Sequence, residues 1–206
     1  MSSVYQTQSR QAGYTLDQTI LIVAVIAILV TIIIASMGWE LLSRAGGTKL
    51  ASHLRQVETA NGQFYAQHNL WPHQVATGGG STAAANMGVL LADAASFDTN
   101  VVDPADANNP AVNFLPAYSM DGGVVKHSFG SGGDITQEQA NFGGQNYLTV
   151  TYTNVPLTEA IEANESIDGE TAAEKDATTR WTSGRIQGLN VTGSTVDLVY
   201  YANVIN

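Results

Sequence analysis

The sequence predicts an α+β fold: a long N-terminal helical spine, transmembrane in its first half, joined to a head built on a small antiparallel sheet. Three observations carry that expectation. Between Gln18 and Trp39 there is no charged side chain, and most positions are Ile, Leu, Val or Ala. Beyond Trp39 an apolar stripe continues at helical spacing through Leu50, Leu54, Val57 and Phe64. Towards the C-terminus, runs of strand formers occupy residues 147–153, 185–191 and 195–204, the last alternating Val196, Leu198 and Tyr200.

The apolar run comes first. A helix from Thr19 to Trp39 spans roughly 30 Å, the thickness of a bilayer core. Its many Ile and Val residues favour strands in water, but in lipid every backbone group must bond within its own segment, so the helix prevails. A secretory signal would have a shorter apolar region ending in small residues; Ala35-Ser36-Met37 is the one candidate cut of that kind. A plain signal anchor is the other simple reading.

The residues before the run favour a third. Arg10-Gln11-Ala12-Gly13-Tyr14-Thr15-Leu16-Asp17-Gln18 is a short polar leader ending in Gly, then an aromatic residue, Thr, Leu and an acid ahead of unbroken apolar sequence. It resembles the processing site of type IV pilins and pseudopilins. The resemblance implies cleavage by a prepilin peptidase between Gly13 and Tyr14, with Tyr14 becoming a methylated N-terminus and the apolar run retained. That family usually has Glu at the fifth residue after the cut; here Gln18 stands there and the acid, Asp17, comes one residue earlier. A carboxylate buried among packed helices needs a partner, which the N-terminal amine of a neighbouring subunit supplies. Asp17 also suits a helix start at a membrane interface, where the helix dipole favours an acid.

After Trp39 the helix is expected to run on to about His68, with Met37-Gly38 and Gly46-Gly47 as weak points where it could bend or break into two. Pro72, in Asn69-Leu70-Trp71-Pro72, ends it. Gly78 to Ser81 reads as a loop, residues 82–95 as a short helix and 98–110 as a polar loop, with turns at Gly122-Gly123, Gly130 to Gly133 and Gly143-Gly144. Helices are expected over 157–164, after Pro156, and over 170–179. The stretch from Leu148 to Pro156, then a helix and a late strand pair, resembles the heads of type IVb pilins. The cysteine pair usual in that subgroup has no counterpart here, because the chain has no cysteine.

These readings divide the chain into a leader over 1–13, a transmembrane or filament-core helix over 14–39, an amphipathic second half over 40–70 and an α+β head over 71–206. The resemblance implies a structural subunit that polymerises with copies of itself, first held in the inner membrane and then in an extracellular filament, with the head making adhesive contacts. Gly13 and Tyr14 would serve processing. Asp17 and Gln18, with Ile20, Val23, Ile26, Leu29 and Ile33, would serve assembly. A pseudopilin of a type II secretion system, or a signal-anchored binding protein, are the alternatives.

Charge and motif content narrow the chemistry. Lys and Arg number 8 against 18 Asp and Glu, a net charge of -10, which repels phosphate backbones and argues against nucleic-acid binding through the bulk surface. No HExxH, nucleophile elbow or P-loop occurs, and neither an enzymatic role nor a cofactor is expected. His53, His68, His73 and His127 read as surface or loop residues. Asp98, Asp103 and Asp106 give an oxygen-rich loop, weak candidates for calcium without EF-hand spacing and better read as a solvated Asx-rich loop. Asn164 and Asn190 open glycosylation sequons, and the acidic run from Glu159 to Asp176 reads as a solvated face.

Overall fold

The computed structural model describes residues 16–79, 84–169 and 181–205. The leader, Gly13, Tyr14 and the helix expected over 170–179 lie outside them. The chain divides into two compact units, one ending at Leu42 and the other beginning at Ser43.

The first element is a single helix, α1 (Leu16–His68). Its N-terminal part, Leu16–Gly38, belongs to the first unit, has a mean hydropathy of 3.2 and has no buried residue among the described residues. It is long and apolar enough to cross a membrane. The later part of α1 belongs to the second unit. There Leu50, Leu54, Val57, Ala60 and Phe64 are fully or almost fully buried, as the stripe predicts.

Gly46-Gly47 does not break the helix. These glycines are where α3 (Leu157–Asp168) lies against it. A Cβ on Gly47 would fall 2.3 Å from the Glu162 Cβ, and one on Gly46 2.7 Å from the Glu159 carboxyl carbon. The pair costs helix propensity and in return lets two backbones approach. Gly62, also in α1, has nothing within 4 Å of its missing Cβ. Gly47→Ala is therefore expected to destabilise the head by roughly 1–3 kcal/mol through overpacking, and Gly62→Ala to stabilise it by about 1 kcal/mol through helix propensity. Chemical denaturation of the full chain in micelles reads both, and equal effects from the two would refute the close-approach account.

Asn69, at φ 55, ends α1, and Pro72 opens a one-turn helix, α2 (Pro72–Val75). The helix expected over 82–95 is not formed. The described residues there give a short strand, β1 (Ala85–Asn86), then 3₁₀ turns at Met87–Leu90 and Ala94–Ser96. Asn86 caps the first turn through Gly88 N–H, and a Cβ on Gly88 would lie 2.0 Å from Ser96 Oγ. Local capping and close approach, rather than the spacing of Met87, Leu90 and Leu91, set the backbone.

Seven antiparallel strands follow from the described residues, against the three expected. Along the sheet the order is β2 (Ser119–Asp121), β3 (Val124–His127), β4 (Gly133–Phe142), β5 (Gln145–Pro156), β7 (Thr195–Ile205) and β6 (Ile186–Thr192), with β1 paired to β4. The glycine pairs are the hairpin turns: Gly122, Gly123, Gly143 and Gly144 all have positive φ. β5, β6 and β7 stand where the strand-forming runs predict. β4 escapes sequence reading because it is mostly polar; its inward positions are Ile135 and Gln137, and Gln137 donates to Asn61 Oδ1 of α1 at 2.7 Å.

The core lies between the later part of α1 and the sheet, with Tyr152, Leu198 and Tyr200 among its fully buried side chains. The outermost strands are short or partly covered, whereas residues 138–142 of β4 pair with β5 alone among the described residues. β2 has three residues, and Trp181 forms a two-way backbone bridge with Gly188 of β6, each N–H···O 3.0 Å. A Cβ on Gly188 would fall 2.3 Å from the Trp181 ring.

Candidate functional site

The candidate assembly surface is the Leu16–Gly38 part of α1. Asp17 lies in its first turn, exposed, as does Gln18. Ile20, Val23, Ile26, Leu29 and Ile33 are all more than half exposed. They form no separate face. Successive spacings of three and four carry them around the helix, and Leu21, Ile22, Val25, Ile28, Val30, Ile32 and Ile34 fill the rest of the circumference. A helix apolar on all sides suits lipid or a packed bundle, not the surface of a water-soluble domain. Its two later hydroxyls are already satisfied: Thr31 Oγ1 donates to the Ala27 carbonyl at 2.8 Å and Ser36 Oγ to the Ile33 carbonyl at 2.9 Å. Neither side chain requires water.

In the head, the histidines are not surface residues. His68, His73 and His127 are buried and His53 is half-buried. Desolvation lowers the pKa of all four. His73, with neither ring nitrogen bonded among the described residues, is brought from 6.5 to about 4. His53 packs against Tyr118 and Phe129 and is lowered further by Lys49 and His127. His127 Nε2–H donates to the Thr153 carbonyl at 2.7 Å, and its Nδ1 accepts from Phe129 N–H at 3.2 Å. That second bond requires a neutral ring. The Thr153 carbonyl and Asp134 favour its charged form, but burial outweighs them. Beside this group the hydroxyls of Tyr118 and Tyr152 meet at 3.0 Å, and burial pushes Tyr118 up to about 12. Flanking sequence offered one clue to this burial: His68 follows the Phe64 stripe by one helical turn.

Glu58 of α1 joins the spine to the sheet. Arg185 Nη2 donates to it at 2.9 Å and the Tyr200 hydroxyl donates to its other oxygen. Arg185 also donates to the Tyr201 and Ala202 carbonyls and lies over the Tyr200 ring, 5.0 Å from its centroid.

The oxygen-rich loop holds its carboxylates apart. Asp98 accepts from Asn100, Asp103 from the Ala105 N–H and Asp106 from Asn108, each closing its own Asx turn. Among the described residues no three His, Cys, Asp or Glu are grouped to hold a metal. Of the two sequons, Asn164 is buried in α3, while Asn190 is exposed on β6 and donates to Asp197. The acidic run is not wholly solvated: Glu159 is half-buried against Gly46, and desolvation raises its pKa.

Three depressions lie among the described residues of the head that bear on function. One, about 490 Å³, runs beside α1 from Thr48 to Gln63, facing Phe114 to Ala117, with Arg55 as its charged residue. Two others, about 400 and 410 Å³, adjoin at Trp71 and Val204. Comparison with known protein families, with curated proteins and with solved structures returned no match.

Proposed function

We propose that this chain is a structural subunit of a type IV pilus-like filament, assembled through its N-terminal helices. One observation carries the reading: a 23-residue segment, Leu16–Gly38, is apolar on every side, has no buried residue among the described residues and belongs to the same helix as the buried stripe of the head. Apolar area on that scale must be covered, by lipid before assembly and by other copies of the helix afterwards. The leader ahead of it, with Gly13 and Tyr14 at the cut, gives the segment an entry to such a pathway. Prepilin peptidase would be the processing partner, the inner membrane the first location and the extracellular filament the final one. Exchange of lipid for sister helices needs no new polar partner at Thr31 or Ser36, whose hydroxyls bond within their own turns.

Mass spectrometry of the mature N-terminus tests the reading. A chain beginning at methylated Tyr14 supports it, whereas an intact Met1 or a cut near Met37 removes it. Asp17 has a separate test. If its carboxylate pairs with a neighbour's terminal amine, Asp17→Ala will lower filament yield while processing at Gly13 continues. Unchanged yield in electron micrographs would discard that role. The same micrographs separate a surface pilus from a pseudopilin of a secretion apparatus.

A further inference from the structure

The two adjoining depressions have a composition the filament reading does not use. Trp71 and Val204 line both. Tyr65 stacks on Trp71, with ring centres 4.5 Å apart and planes at 23°. Tyr147 lines the second depression and is paired across β5 and β7 with Val204, which is 53% exposed. An aliphatic side chain thus lies open to solvent among aromatic rings, in a molecule whose other large aliphatic groups in the head are mostly covered.

Polar groups flank these rings, and several are held in place. Gln74 lines the first depression, and its Oε1 is fixed by Trp71 N–H at 2.9 Å, which turns its amide nitrogen outward from that bond. Arg185 lines the second, held by Glu58 and two carbonyls while 44% of its side chain stays exposed. Asn203 lines it too, its Nδ2 donating to the Glu58 carbonyl at 3.4 Å and its Oδ1 buried without a hydrogen-bond partner among the described residues.

We propose that this cleft binds a neutral saccharide. The axial C–H faces of a sugar ring pack on aromatic planes, and its hydroxyls take fixed amide, carboxylate and guanidinium partners, the mixture found here. Each depression is within the range of about 300–1,000 Å³ used for small ligands. Polyanions are disfavoured, because Arg185 is already paired with Glu58 and the chain carries a net charge of -10. The inference is independent of polymerisation, and a head anchored singly would bind in the same way.

The test uses the full chain in lauryldimethylamine oxide micelles, since a sugar-headed detergent would compete. Neutral oligosaccharides of glucose, galactose, mannose and N-acetylglucosamine are the probes, with heparin as the polyanion, read by tryptophan fluorescence and by array binding. Saturable binding of a neutral probe is expected, weakened at least about tenfold by Trp71→Ala. Val204→Arg, at an exposed position, should obstruct both depressions and abolish binding with the unfolding midpoint unchanged; it decides the matter should Trp71→Ala fail to fold. No binding of any neutral probe, binding indifferent to Val204→Arg, or preference for heparin would each overturn the proposal.

Discussion

Lysine placed together at Val23, Ile26 and Leu29 is expected to release the chain from membranes. Each position lies near the middle of the Leu16–Gly38 segment and is more than half exposed. A Lys at the centre of a spanning helix costs about 3 kcal/mol, so three cost roughly 9 kcal/mol, comparable to the whole favourable transfer of such a segment. Among the described residues nothing buries this surface, so the head should unfold at its usual midpoint. Alkaline carbonate extraction of membranes checks the first point, and thermal unfolding in detergent the second. Retention of the triple variant in the membrane pellet would contradict the membrane reading, and filaments formed by it would contradict the assembly reading.

Acid should weaken the head in a defined window. A histidine whose folded pKa is lowered binds its proton later than the unfolded chain does, so stability is lost as pH falls below 6.5 towards the folded value. For His73 that window runs from 6.5 to about 4, and it amounts to roughly 3 kcal/mol when complete. His68, His53 and His127 act in the same direction. For His127 there is a further reason: a proton on Nδ1 would confront the Phe129 N–H that now donates to it. Glu159 acts oppositely. Its raised pKa gives stability that is present in acid and lost as pH rises through the folded value, so it offsets part of the loss at the low end. Denaturant unfolding across the window, compared between the wild type and His73→Phe, isolates the effect. The variant should show the shallower pH dependence; equal slopes would mean that His73 is not held neutral by the fold.

What could be read from the chain follows from how each element announces itself. The spine was legible because two periodic signals, an unbroken apolar run and then a stripe, share one helix. β5, β6 and β7 were legible because strand formers crowd them. β4 was not, because its inward Gln137 meets Asn61 rather than an apolar neighbour, a pairing across 76 residues that no local pattern contains. The double glycine at 46–47 reads as weakness in sequence because a glycine's local cost is visible there, while the helix packed upon it is not. The histidines failed for the same reason: residue type suggests the surface, and only the fold supplies aromatic neighbours. The Trp71 cleft joins the end of α1 to β5 and β7, so its members are scattered in sequence and gathered by topology alone.

The outermost strands of the sheet matter for any arrangement that crowds these heads. An open strand edge is a template for another chain, and high local concentration would make such pairing hard to avoid. Here one border is three residues long and the other already has Trp181 bonded along it at Gly188. At those two places a neighbouring head finds little free strand to pair with, which leaves association there to surfaces that can let go.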